Sequence, residues 1–190
     1  GGVVHVLELG RALMTLGHDV TLVAPAAPGQ AFFRETPCRV ELACAPEPGC
    51  DLAETVQRRI AALRAHVSAL LQRERFDILH AHDGIGANAL ADLVQQGAID
   101  EYLRTVHHVD RYHDARVQAW EERSIRSAAR VLCVSALWCR RLRDEYGVDA
   151  MQVNIRGGGH FEFSYIPNPA FGATLRGIDM TAWYTTAWFD

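Results

Sequence analysis

DILHAHDGIGANALADLVQQGAIDEYLRTVH, residues 77–107, decides the fold. Asp77 to Ala81 is a short apolar run and reads as a strand. Ala87 to Gln96 reads as a helix that stops at Gly97. Leu103 to His107 is a second strand. Two strands joined through a helix pair in parallel, because a parallel pair needs a crossover connection.

The same alternation extends in both directions. Residues 3–16 place Val3, Val6, Leu7, Leu13, Met14 and Leu16 at helical spacings, and Gly17 follows as a stop. Asp19 to Ala24 is a β-branched, apolar strand ending at Pro25. Residues 25–50 hold five prolines and read as loop, with a short strand within Arg39 to Leu42. Residues 51–74 carry Leu52, Val56, Ile60, Leu63, Val67 and Leu70 on one helical face. Asp51 is the expected N-cap and Glu54 its capping-box partner. Farther on come a helix over 115–127, a strand over 130–134 and a helix over 135–146 that stops at Gly147.

This order predicts an α/β, Rossmann-like, doubly wound parallel sheet with helices on both faces. Every helix but the first follows a strand. The pattern therefore expects a strand ahead of Gly1, at the sheet centre, and residues 1–150 read as one domain truncated at its start. Without that strand, two neighbours should be left with unpaired edges. Residues 151–190 read as a divergent tail or linker. They are rich in glycine and aromatics, with Gly157-Gly158-Gly159, Trp183, Tyr184 and Trp188, and their periodicity gives no elements.

The net charge is −4, and no basic face advertises nucleic acid. All 19 basic residues are arginine, which excludes a Schiff-base lysine. Cys38, Cys44, Cys50, Cys133 and Cys139 are odd in number, lack C-x-x-C spacing and read as ordinary thiols of a cytoplasmic protein. No apolar run is long enough to span a membrane.

Open α/β sheets bind ligands beyond the carboxyl ends of their strands. Four of the nine histidines, His80, His82, His107 and His108, fall there. Gly1-Gly2 opens the first helix, where backbone N–H groups can approach an anion, or is a plain turn pair. His80 and His82 share one strand face, and with Asp83 they offer the start of a metal site or simply one packed and one cleft histidine. Of His107 and His108 only one can point along the cleft, since neighbours on a strand alternate faces. Asp110 follows in the same loop. Ser135 is first an N-cap and second a ligand contact. Gly157-Gly158-Gly159 lacks the G-K-[ST] continuation of a phosphate loop.

Together these pieces resemble the retaining GT-B glycosyltransferases of family 4, from Gly1 to about Val148. The matching segments are Gly1-Gly2 before a helix, Gly17-His18-Asp19-Val20 through Pro25, Asp77 to His82, and Thr105-Val106-His107. Glu122-Arg123 through Ala129, Leu132, Val134 and Ser135 closes the series. The GGVVH opening and the doubled His107-His108 are similar to one bacterial subgroup. The resemblance implies the acceptor-side half of an enzyme that moves a sugar, hexosyl or related, from a nucleotide-sugar to an acceptor with retention. It implies that His107 orients and stabilises at the catalytic centre without acting as nucleophile. Gly1, Gly2, His82, Asp83, His108, Asp110 and Ser135 are then substrate-binding candidates. It implies no metal and no cofactor beyond the donor. It leaves the acceptor open, with a lipid or a small molecule both compatible with the family, and any membrane association it implies is peripheral.

Two departures stand out. Ile166-Pro167-Asn168 occurs 18 residues beyond Val148, with Pro169 where the family has glycine. Beyond Glu145 the only glutamate is Glu162, so the donor-domain E-x₇-E pair is absent and the 190 residues alone are expected to be inactive. Two other readings compete: a metal-dependent hydrolase built on His80, His82 and Asp83, and a non-catalytic nucleotide- or partner-binding domain.

Overall fold

The computed structural model describes residues 2–32, 34–156 and 160–164. Five helices and seven strands follow one another along these residues, alternating from α2 to β6. They are α1 (Gly2–Thr15), β1 (Thr21–Ala26), β2 (Arg39–Cys44), α2 (Leu52–Leu71), β3 (His80–Ala81), α3 (Gly84–Gln95), β4 (Leu103–Val106), α4 (Ala115–Arg126), β5 (Arg130–Cys133), α5 (Ala136–Tyr146), β6 (Ala150–Arg156) and β7 (His160–Ser164). All pairs from β1 to β6 are parallel, and β7 returns antiparallel to β6.

The helices form where the sequence supplies caps. Asp51, Asp83, Asp114 and Ser135 each accept a hydrogen bond from a backbone N–H in the first turn of α2, α3, α4 and α5. At α2 the acidic partner reaches one residue farther back than in a standard capping box, since Glu54 accepts from the Cys50 N–H at 2.7 Å. Gly17 ends α1 in a left-handed turn at φ 88°. There the His18 N–H bonds to the Leu13 carbonyl, which a residue bearing a Cβ would strain to allow.

The strands form two sheets, β1-β2 and β3-β4-β5-β6-β7. Side chains alternate across them. Ala81, Val106, Val131 and Cys133 face α2–α5, burying Ile60, Leu63, Leu90, Leu93, Ile125 and Leu142. The opposite face of β3 and β4 carries His80 and Thr105 and meets α1. Helices thus cover both faces, as the alternation predicts. Arg123 ties α4 to α3 through Asp92 at 2.6 Å and Gln95 at 3.1 Å.

Three differences from the sequence reading have physical reasons. The predicted strand 77–81 is reduced to His80–Ala81, the two residues that pair with Leu103 and Arg104 of β4. The helix expected from Ala87 begins at Gly84, since Asp83 caps it there. The sheet continues past residue 150: Ala150 pairs with Val131, and β6 adds a parallel strand that weak periodicity had hidden. Gly1, Gly157-Gly158-Gly159, Ile166-Pro167-Asn168, Trp183, Tyr184 and Trp188 lie outside the described residues.

Candidate active site

The strands fall into two sheets, β1-β2 and β3-β4-β5-β6-β7, and α1 reaches both, with Gly10 against Val20 and Leu22 and His5 against His82 and His107. Parallel α/β sheets bind ligands at the carboxyl ends of their strands. Four imidazoles gather there. His80 lies on β3 and His82 just past its end, with ring centroids 4.1 Å apart. His107 follows β4 and stacks on His82 at 5.7 Å, with His82 Nδ1 and His107 Nε2 at 3.4 Å. His5, from the second turn of α1, meets His107 edge-on at 5.0 Å and His82 at 5.7 Å.

Crowding sets their charge. Burial, followed by the neighbouring His5, Arg104 and His107, pushes His80 down to about 3. Burial, then His5 and Arg104, lowers His107 to about 4. Burial holds His82 well below its ordinary value, and His5 is lowered by burial too. Near neutral pH all four are uncharged, so each offers one N–H donor and one bare nitrogen acceptor. His80 Nε2 spends one of these on the Thr105 hydroxyl at 2.8 Å.

Gly2 is the first residue of α1, and a Cβ there would lie 3.3 Å from the His107 ring. Glycine lets the positive end of a 14-residue helix come down onto the imidazole. The site therefore joins helix N–H groups to neutral ring nitrogens, a set that can hold sugar hydroxyls or phosphate oxygens.

The predicted residues divide into two groups. His82, His107 and Gly2 come together. His108 turns away, its side chain 69% exposed, and pairs with Asp110 at 3.2 Å. Asp110 also accepts from the Tyr112 hydroxyl at 3.3 Å, so both belong to the rim loop after β4. Asp83 Oδ1 accepts from the Gly86 N–H at 2.6 Å, and the Ser135 hydroxyl accepts from the Trp138 N–H at 3.2 Å. Both act as helix caps. The hydrolase reading needs a third ligand beside His80 and His82, and Asp83 is committed to α3. Among the described residues no group of three or more His, Cys, Asp or Glu could hold a metal ion.

Sequence reasoning missed His5, Arg104 and Glu121. His5 was legible: it falls three residues after Gly2, on the same side of the helix start. Arg104 is 3% exposed, donates to the Thr105 carbonyl at 3.0 Å, and has a buried Nε without a partner. Its charge helps keep the imidazoles neutral from behind the sheet. Burial raises the Glu121 carboxyl, whose Oε2 lies 3.1 Å from where a Gly84 Cβ would stand. Nothing in residue spacing marks either position.

A crevice of this make-up, at the carboxyl ends of parallel strands in an α/β domain, has the chemistry to receive a hydroxylated or phosphorylated ligand. Residues 1–156 match the family model described as Glycosyltransferase Family 4. The chain belongs to that family and is a glycosyltransferase domain. Seven chains of solved structures match it. One is a sucrose-phosphate synthase of Thermosynechococcus elongatus, with 21% identity and a TM-score of 0.58 over 82% of this chain and 84% of that one. That likeness is one of fold: the domain is a Rossmann-like half of the GT-B architecture. No curated protein matches. Among the described residues no helix is long and apolar enough to cross a membrane.

Proposed function

We propose that this domain forms the acceptor side of the cleft in an enzyme that transfers a sugar, hexosyl or related, from a nucleotide-sugar with retention of configuration. The observation that carries this reading is the set of His5, His82 and His107 at the α1 N-terminus, in a chain of glycosyltransferase family 4. His107 is the residue nearest the transferring sugar. Being neutral, it donates one N–H to a sugar or phosphate oxygen and leaves the charge balance of the donor to the helix start.

In the reaction the anomeric C–O bond to the leaving phosphate breaks. The acceptor oxygen forms its bond on the same face, and its proton passes to the leaving phosphate oxygen. No protein nucleophile, metal or further cofactor enters. The acceptor lies toward the loops 25–50 and 110–116 and is a small molecule or a lipid. The enzyme works in the cytoplasm, with peripheral membrane contact where the acceptor is a lipid.

The test is a thermal-shift screen of nucleotide-sugars on the full-length gene product, followed by turnover with the best donor. The anomeric configuration of the product is then read by NMR. Retention, with a His107→Ala loss larger than that of His108→Ala, is the expected result. Inversion, or equal activities of the two variants, would overturn the reading.

A further inference from the structure

We propose that His82 is a positioning residue that fixes the tautomer of His107: it donates its Nδ1–H to His107 Nε2, so that His107 turns Nδ1–H, a donor, toward the ligand. The use of that donor on a sugar or phosphate oxygen rests on the glycosyltransferase reading above; the tautomer itself does not.

The two rings meet nitrogen to nitrogen. His82 Nδ1 and His107 Nε2 lie 3.4 Å apart, with the ring planes inclined by 26°. Burial keeps both rings neutral. A neutral imidazole carries one N–H and one bare nitrogen, so such a contact has two arrangements. In the first, His107 accepts at Nε2 and keeps its proton on Nδ1. In the second, it donates from Nε2 and leaves Nδ1 bare. The first offers a ligand a donor and the second an acceptor.

The start of α1 selects the first. A Cβ on Gly2 would lie 3.3 Å from His107 Cδ2, 3.5 Å from Cγ and 3.7 Å from Nε2. The helix therefore begins against the edge of the ring that ends in Nε2. Its unpaired N–H groups make that end partially positive. A bare lone pair at Nε2 is stabilised there, and an N–H is opposed. Among the described residues Nε2 is the one His107 ring nitrogen with a hydrogen-bond partner, which leaves Nδ1 for a ligand.

His82 is itself held in place. It lies two residues beyond His80, in the alternation that puts both on one face. His80 Nε2 is tied to the Thr105 hydroxyl at 2.8 Å, and the His80 ring lies 4.1 Å from that of His82. Thr105 is buried on β4. Support thus runs from Thr105 through His80 to His82, and from His82 to His107. The outcome has a chemical consequence. A nitrogen that already carries a proton cannot take one from an acceptor hydroxyl. His107 Nδ1–H instead stabilises an oxygen that holds or gains negative charge.

The test is a long-range proton–nitrogen NMR correlation on the 190-residue chain, labelled with heavy nitrogen at histidine and free of ligand at about pH 7. The shifts of the two ring nitrogens report which one carries the proton, and His107 is assigned by the loss of its signals in His107→Ala. The parent chain should show His107 and His82 both protonated at Nδ1. His82→Phe keeps a ring and removes the donor. It should lower the ratio of Nδ1–H to Nε2–H at His107 by about fivefold or more, the worth of one net hydrogen bond. His82→Asn returns an N–H close to where Nδ1–H stood and should restore the ratio. A parent chain with the His107 proton on Nε2 would overturn the proposal, and that measurement needs no variant to fold. A ratio unchanged in His82→Phe would overturn it too, as would one that His82→Asn does not restore. None of these spectra uses a sugar donor. A nucleotide-sugar screen without a hit would count against the glycosyltransferase reading and leave the tautomer result standing.

Discussion

Replacing His80 by asparagine should flatten the pH dependence of stability between about pH 7 and pH 5. His80 is held neutral in the folded chain, with its pKa lowered from 6.5 to about 3. The unfolded chain binds a proton there as soon as the pH drops through 6.5, and the folded chain does not. Because the folded pKa is depressed, the favourable balance is full above 6.5 and shrinks as acid is added. Each pH unit below 6.5 removes about 1.4 kcal/mol, so the loss by pH 5 is about 2 kcal/mol from this ring alone. A domain with about 5–15 kcal/mol in total would register that clearly. The window also avoids most carboxylate titration: Glu54 and Asp114, both lowered to about 2 by hydrogen bonds to their neighbours, lose their contributions at more acid pH. Urea unfolding followed by circular dichroism at half-unit pH steps supplies the slope. The parent should take up about one proton more on unfolding than His80→Asn. Equal slopes would show that His80 is already protonated in the folded chain, which would refute the neutral cluster.

Other perturbations probe neighbouring contacts. Gly10→Ala places a Cβ 2.8 Å from Cys38 Sγ and should cost about 1–3 kcal/mol of stability, with part of the loss recovered in a Gly10→Ala, Cys38→Ala double variant measured by urea titration. In the full-length enzyme, His107→Ala should lower turnover by on the order of tenfold to a hundredfold, while His108→Ala changes it by less than about twofold. Asp83→Ala removes the α3 cap and should lower thermal stability by about 1 kcal/mol. Arg123→Met severs the ties to Asp92 and Gln95 and should cost about 1–3 kcal/mol, measured in the same way.

Much of the fold was legible because it rests on local signals. Gly17, Gly97 and Gly147 mark helix ends by a positive φ that few other residues adopt, and Asp51 and Ser135 mark starts by a side-chain oxygen. Strand alternation allowed only one of His107 and His108 along the cleft, the resemblance to family 4 chose His107, and the structure places His107 and not His108 in the cluster. What stayed hidden is what depends on distance along the chain. β3 shrinks to the two residues that pair with β4, and no property of DILHA encodes that. Gly10 reads as a weak helix residue until Cys38 is seen against it, 28 positions later. Arg104 reads as a surface residue on composition alone, yet it is enclosed behind the sheet.

The imidazole cluster draws on two sets of elements: His5 and Gly2 ride on α1, which leans on β1, while His82 and His107 follow β3 and β4. A ligand gripped by both sets acts as a non-covalent cross-link between two sheets that, among the described residues, share no ladder hydrogen bond. Its binding energy then adds to the coupling of the two sheets in unfolding. Occupancy of the cleft should therefore sharpen the melting transition as well as raise its midpoint.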